Sequence, residues 1–419
     1  MRSRKSFAGN RGENVRSDCH VQIDWKPRKG LDLVIESKVA SLYGTSIRKL
    51  LKDLCAHFGI STARVFLDDK GALPYVIAAR LETAVRRAGV CPKPFFPFPR
   101  ANRRPSSRER SRRSRLYLPG NEPKFFINAA LHSPDCVILD LEDSVSPEEK
   151  DAARILVRNA LRVCDFGKCE VSVRINQGEL GAADVKAIAG QKVHAIYIPK
   201  VESAQDVRLV DELLDENEKN GDQKWHTFII PIVESALGVV KAYEITTASK
   251  RICALAIGLE DYTADLGVPR TLEGKESLFA RSAIVNAARA AGIQALDSVF
   301  SDISDMDGLA RSTRESRALG FDGKGCVHPR QIRVVHEAFL PSDEEIRNAA
   351  AIVLAFECAR TAGKGVVAVG SKMIDPPVVK RALGVIQTAL ASGQIKQNWR
   401  RRNASQSVDH TPKAENPEI

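Results

Sequence analysis

Beyond residue 115 the apolar positions gather into eight short unbroken runs, at 116–119, 136–141, 171–175, 195–198, 227–233, 254–257, 294–299 and 325–327. Helix-period segments lie between most of them. Strands buried on both faces read as continuous apolar runs, and eight such β–α units over about 230 residues predict a (β/α)8 TIM barrel. A doubly wound sheet is the competing architecture. It calls for a glycine-rich first turn, and Pro119-Gly120-Asn121 is not one. Most runs end in polar residues: Glu142 and Asp143, Arg174 and Asn176, Lys200, Glu234, Glu260 and Asp261, Asp297, His328. A TIM barrel builds its active site at these C-terminal strand ends, so they are expected to converge on one mouth.

Ahead of the barrel, 17–90 reads as a small α+β module. Residues 21–23 and 31–36 alternate like strands. Ile47, Leu50, Leu51, Leu54 and Phe58 keep a helical period. The runs 64–67 and 73–79 flank Asp68-Asp69-Lys70-Gly71, which predicts a hairpin, with a helix following from 80 to 89. Residues 91–111 form a Pro/Arg-rich linker expected to bury no core, so that the barrel, 112–340, folds without it. A helical arm over 341–394, with a helix at 343–361 and a glycine-rich loop at 363–370, and a disordered tail over 395–419 complete the chain.

Composition is globular, 43% apolar and 27% charged, and no run approaches the roughly 18 apolar residues of a membrane span. The net charge of +11 is uneven. Residues 91–115 hold eight Arg and one Lys against one Glu, and most of the remaining excess lies in the two termini. The folded parts are therefore not basic, and a nucleic-acid-binding fold is not implied. The arginine run reads as a solvated spacer or as a contact for RNA, an acidic partner or a phosphate-bearing cofactor. Nine scattered cysteines without a CxxC read as reduced thiols, hence a cytoplasmic protein. Residues 1–16 lack the apolar core of a secretory signal, and their Arg/Ser content leaves an organelle transit peptide open.

Glu234 and Asp261 follow the fifth and sixth barrel runs directly. Two carboxylates at consecutive strand ends offer hard oxygens suited to Mg²⁺; the alternative is an ordinary loop ion pair. Arg174, closing the third run, can hold a substrate carboxylate in a two-pronged grip or pair internally with Glu142 or Asp143. Those two acids are candidates for acid–base work or for scaffolding. Lys200 is a carboxylate anchor or, less simply, a Schiff-base lysine. No HExxH, Walker A or Ser-His-Asp order stands out.

The blocks RRSRLYLPGNEPKF, DCVILDLEDSV, VSVRIN, IYIPKVES, IIPIVESALGV, AIGLEDYTADLG, KGCVHPRQI and GSKMIDPP resemble the citrate lyase β-chain family, of the HpcH/HpaI aldolase group, in order from about 112 to 385. The resemblance implies an Mg²⁺-dependent carbon–carbon lyase acting on citryl, malyl or citramalyl thioesters. Glu234 and Asp261 would hold the metal and Arg174 the carboxylate, with Glu142 and Asp143 in the acidic cluster. Asp375 would enter a neighbouring subunit's site in a homo-oligomer, and a citrate lyase α-like subunit is a candidate partner. Residues 17–90, with DDKGAL and ARLE, resemble the citrate lyase acyl carrier protein, whose serine bears a dephospho-CoA-derived arm. If Asp18 aligns, Arg16 stands in that serine's place and Ser17 lies one position later, so either Ser17 carries the arm or the carrier is unmodified. Three readings follow: a lyase on a tethered, carrier-bound thioester; a lyase on free CoA thioesters with a vestigial carrier, the arginine run facing the CoA phosphates; and a non-catalytic assembly or binding subunit.

Overall fold

The computed structural model describes residues 5–25, 30–95, 101, 103–218, 225–361, 367–369 and 372–400. The small module is a four-stranded sheet of β1 (Lys5–Ala8), β2 (Cys19–Asp24), β3 (Leu31–Ser37) and β4 (Ala63–Asp69), in the order β1-β2-β4-β3. Helices α1 (Ala40–His57) and α2 (Pro74–Arg87) complete it. The expected hairpin after Asp68-Asp69-Lys70-Gly71 is not formed. Pro74 opens α2 at its first turn, and β4 instead pairs antiparallel with β2 and parallel with β3. The module also starts earlier than expected, because Lys5–Ala8 pairs with β2 along its whole length. Ser17 holds a left-handed backbone, φ +56°, and donates its N–H to the Lys70 carbonyl.

Every one of the eight runs becomes a strand: β5 (Ser114–Pro119), β6 (Cys136–Asp140), β7 (Glu170–Arg174), β8 (Ala195–Ile198), β9 (Phe228–Val233), β10 (Ala254–Ile257), β11 (Gln294–Val299) and β12 (Gly323–Cys326). All pair in parallel, and β12 returns to β5 through Cys326 and Leu116 to close the barrel.

The module does not swing on a tether. Helix α2 lies against α3 (Lys150–Val163), the barrel helix after β6. Glu82 takes both terminal nitrogens of Arg158, at 3.0 and 2.6 Å, and both residues are buried. Asp18 and Arg80 form a second buried pair, with contacts of 3.0 and 2.8 Å, and Arg80 reaches on to the Asn121 carbonyl just past β5. Arg87 grips Asp151. The Glu82–Arg158 pair fixes an orientation, because separating it strands charge in a dry interface.

The linker is not a solvated spacer where it is described. Arg103 caps the Leu161 and Cys164 carbonyls at the end of α3. Arg108 donates to Lys250 and Ile252 ahead of β10, and Arg110 to Lys168 ahead of β7. Arg112 is fully buried against Glu170, at 2.7 and 2.8 Å, and reaches Gln294 at the start of β11. These partners mark the N-terminal ends of the strands, so 103–113 straps the barrel floor, opposite the mouth. The arginines are spent on orphan carbonyls and on Glu170. These contacts leave Arg103, Arg108, Arg110 and Arg112 occupied at the floor rather than free for CoA phosphates, and the linker adds contacts to the barrel where none were expected. Residues 96–100 and 102 lie outside the described residues.

The chain from His336 on forms a second compact unit. Helix Asp343–Thr361 packs on helix Pro376–Ala391 through Ile346, Ala350 and Val353 against Ala382, Ile386 and Ala389. Trp399 joins this core, so the expected tail does not begin at 395; residues 401–419 lie outside the described ones. Part of the expected 363–370 loop is strand, Val367–Val369 pairing antiparallel with Lys372–Ile374.

Candidate active site

A cavity of about 350 Å³ opens among the C-terminal strand ends. Asp140, the last residue of β6, accepts Arg174 Nε and Nη2 at 2.7 and 2.8 Å. Arg174 Nη1 pairs with Glu142 at 2.7 Å, and the Tyr117 ring lies 5.4 Å below the guanidinium. Asp140 is buried, and Arg174 overcomes the cost of that burial to hold its carboxyl below the usual range. Both internal partners weighed for Arg174 are present, Asp143 more distantly at 3.8 Å. Asp140, absent from the sequence-derived candidates, is its principal partner.

Lys200 carries φ +51° after β8 and turns its ammonium into the acids: 2.6 Å from Glu142, 3.3 Å from Asp143 and 3.5 Å from Asp261. Burial would lower its pKa, but these carboxylates outweigh burial and raise it. A lysine held protonated is a poor amine nucleophile, which disfavours a Schiff base. Burial, opposed by Arg174 and Lys200 and aided by Asp143, pushes Glu142 above the usual carboxylate range.

Glu234 follows β9, and Asp261 sits in the first turn of helix Leu259–Leu266 after β10. Both line the cavity. Glu234 Oε1 accepts the Lys200 backbone N–H at 2.8 Å, and Oε2 lies over Gly258, where a Cβ would stand 2.2 Å from it. Burial, with Asp261 and Glu142 adding to it, pushes Glu234 up to about 7. A buried carboxylate beside other acids, one oxygen fixed by a backbone donor, suits a hard divalent cation. Among the described residues no group of three or more His, Cys, Asp or Glu is placed to hold a metal. Glu234 and Asp261 thus fit Mg²⁺ only as a partial ligand set that substrate oxygens and water complete.

Asn176, Asp297 and His328, expected at the mouth, do not line this cavity, and Asn176 instead donates to Asp184. Asp297 is fully buried on the outward side of β11, bound to Arg281, Lys324 and Ser316 from the helix layer and the next strand; despite burial, Lys324 and Arg281 hold its carboxyl low. Asp375 is in the C-terminal unit, where its Oδ1 accepts the Val378 N–H at 3.1 Å as N-cap of helix Pro376–Ala391. Reading the sequence missed Arg115, Tyr117, Gly258 and Ser298 as lining residues. Arg115 carried a signal, a charge at an alternate position within β5.

Residues 113–329 match the HpcH/HpaI aldolase/citrate lyase family, and residues 8–88 match a carrier-protein family described as malonate decarboxylase delta subunit (MdcD). Citrate lyase subunit beta of Leuconostoc mesenteroides subsp. cremoris is 42% identical over 287 residues, 68% of this chain and 95% of that protein. Mitochondrial citramalyl-CoA lyase of Rattus norvegicus is 34% identical, over 66% of this chain and 86% of that one. The crystal structure of CitE from Mycobacterium tuberculosis with magnesium, acetoacetate and coenzyme A aligns at 34% identity and TM-score 0.58, covering 68% of this chain and 99% of that one. The matched span takes in all eight barrel strands together with Glu234 and Asp261, and over it the chain belongs to the HpcH/HpaI aldolase/citrate lyase family, with an acyl-carrier-like domain ahead of the barrel.

Proposed function

We propose that the chain is an Mg²⁺-dependent carbon–carbon lyase that splits a citryl-like thioester into a 2-oxo acid such as oxaloacetate and an acyl thioester. The observation that carries this is the placement of Glu234 and Asp261 in one cavity with the Asp140–Arg174–Glu142–Lys200 network. When bound, Mg²⁺ polarises the oxygens of the 2-oxo acid half. Glu234 and Asp261 hold it there. Glu142, raised by burial and beside Asp143, takes the proton from the substrate hydroxyl. The bond between the carbinol carbon and the thioester α-carbon breaks, its electron pair passes to the thioester half, and the carbinol oxygen becomes the ketone. A proton then returns to the α-carbon. Asp375 from a neighbouring copy fills that role in a homo-oligomer. Arg174 offers Nη1 to a substrate carboxylate as Glu142 shifts to Lys200, which anchors the acids from the other side.

The test is metal removal. EDTA abolishes cleavage and Mg²⁺ restores it, while Glu234→Gln raises the Mg²⁺ needed. Full activity in chelator defeats the proposal.

A second reading, cleavage of free CoA thioesters, is favoured by the docking of the carrier-like module, which the buried Glu82–Arg158 pair holds against α3, and by Arg16 in the serine's place. Intact mass from the native host separates the two: an added arm, on Ser17, supports the carrier-bound substrate, and a bare chain supports free CoA. Nine free cysteines, six of them buried, support a reducing cytoplasm. No described helix is long and apolar enough to cross a membrane. An α-like partner subunit fits the carrier-bound reading alone, since only that reading needs the acyl group exchanged on the arm.

A further inference from the structure

Arg115 is a buried guanidinium that nothing in the fold neutralises. It is 1% exposed, yet it lines the mouth cavity together with Glu234 and Asp261. On β5, residues 115, 117 and 119 all face this cavity, and Arg115 is the deepest, about 7 Å of strand below Tyr117. Arg115 Nη2 donates to the Asp297 carbonyl, and Nε is buried without a partner. Among the described residues no Asp or Glu forms an ion pair with it. Asp140 on the adjacent strand and Asp297, whose carbonyl Arg115 meets, are committed elsewhere: Asp140 gives both oxygens to Arg174, and Asp297 turns its carboxylate outward to Arg281 and Lys324.

A fixed positive charge buried without a counterion is costly, and proteins keep one where a ligand supplies the missing anion. The walls around it are apolar, with Ile232, Ile257 and Val299 among them. A 2-oxo acid held at the mouth by its oxo and carboxylate oxygens would direct its far end down this wall towards the guanidinium. We propose that Arg115 forms a second carboxylate subsite at the base of the cavity and makes the site selective for 2-oxo acids that carry a second carboxylate. This rests on the lyase reading above and adds the class of 2-oxo acid to it. Arg115 takes no part in bond breaking; it is a specificity-determining residue.

The experiment compares freshly dissolved oxaloacetate with 2-oxobutyrate, which carries a methyl where oxaloacetate has its second carboxylate. Binding to the full-length protein is measured by calorimetry with Mg²⁺ present. The wild type is expected to bind oxaloacetate at least about tenfold more tightly, the scale of one charge-assisted contact in a dry site. Arg115→Met should bring the two acids level by weakening oxaloacetate alone, with 2-oxobutyrate within about twofold of wild type. Arg115→Lys, which keeps the charge without the planar fork, should retain part of the preference. A wild type without preference overturns the subsite, and this holds even if Arg115→Met fails to fold. So does a folded Arg115→Met that keeps the preference, or one that loses both acids equally. A wild type that binds neither acid overturns the lyase reading together with the subsite, whereas binding without discrimination overturns the subsite alone.

Discussion

Gly258→Ala isolates the proposed metal site from the stability of the fold. Gly258 has φ −109° and ψ +108°, an extended backbone open to any residue, so alanine brings no strain of its own. Its Cβ would stand 2.2 Å from Glu234 Oε2 and 3.0 Å from the carboxyl carbon. Ordinary contact needs well over 3 Å, so the carboxylate must retreat by roughly 1 Å, the scale at which misplacement costs about 10²-fold in rate. A free glutamate would swing aside at little cost. Glu234 is not free, because Oε1 is fixed by the Lys200 N–H at 2.8 Å and the side chain is buried. The expected result is Mg²⁺ affinity lower by about 10–100-fold, the range seen when the support of a ligand is removed. The lyase rate at fixed Mg²⁺ should fall with it and recover in part at high Mg²⁺. The melting temperature without metal should move little. Gly384→Ala is the matched control, since a Cβ there meets nothing within 4 Å and alanine is the better helix former. Wild-type Mg²⁺ dependence in Gly258→Ala would refute the assignment of Glu234 as a ligand.

Glu82→Ala should destabilise the folded chain by about 3–5 kcal/mol, because it strands Arg158 in a buried interface; urea unfolding checks this, and a loss under about 1 kcal/mol would mean the module is loosely docked. A chain starting at 112 should melt below the full-length protein and expose the barrel floor to proteolysis, since it lacks the strap contacts of Arg103, Arg108 and Arg110. His194 accepts the Val171 N–H through Nδ1 and faces the Arg104 carbonyl through Nε2; burial lowers its pKa despite the help of that carbonyl, so the folded state disfavours the proton that the unfolded state accepts near pH 6.5. Its contribution is therefore complete above that pH and lost as the pH falls, with a slope of at most about 1.4 kcal/mol per unit, and His194→Gln should flatten the acid limb of a melting-temperature profile. Borohydride in the presence of a 2-oxo acid should trap no adduct on Lys200, and mass spectrometry of a trapped lysine would reopen the Schiff-base route.

The barrel was legible in the sequence because parallel strands covered by helices must be apolar on both faces. The same property hid which residues face inward. A strand such as β11 has no period of two, so Asp297 was expected at the mouth when it points to the helix layer, and Arg115 passed as one more arginine of the linker. The hairpin expected after Gly71 failed because apolar runs of that length fit a strand or a buried helix alike. Helix α2 is buried almost all round, between its own sheet and α3, and its first half, Pro74–Ala79, is an apolar run that reads equally as a strand. Lys5–Ala8 was too short to stand out beside arginines. The carboxylates at the ends of β9 and β10 were found because strand-end position is readable even when side-chain direction is not.

The linker arginines explain why a pI near 9.2 coexists with an acidic mouth. A closed barrel has no sheet edge, but its strands still begin somewhere, and the loops entering them leave carbonyls at the floor without partners. Arginine meets such groups well, since its planar fork satisfies several oxygens at once. The positive charge of residues 103–113 is thus consumed at one end of the barrel, while Arg174 and Lys200 face the acids at the other. That division bears on how a thioester could arrive. With α2 locked to α3 and the linker locked to the floor, a carrier domain cannot deliver substrate by moving as a body. Either a long flexible arm spans the distance from the neighbourhood of Ser17, or the thioester comes from solution. The fold leaves no intermediate option, which is why the mass of the native chain decides between them more directly than any rate.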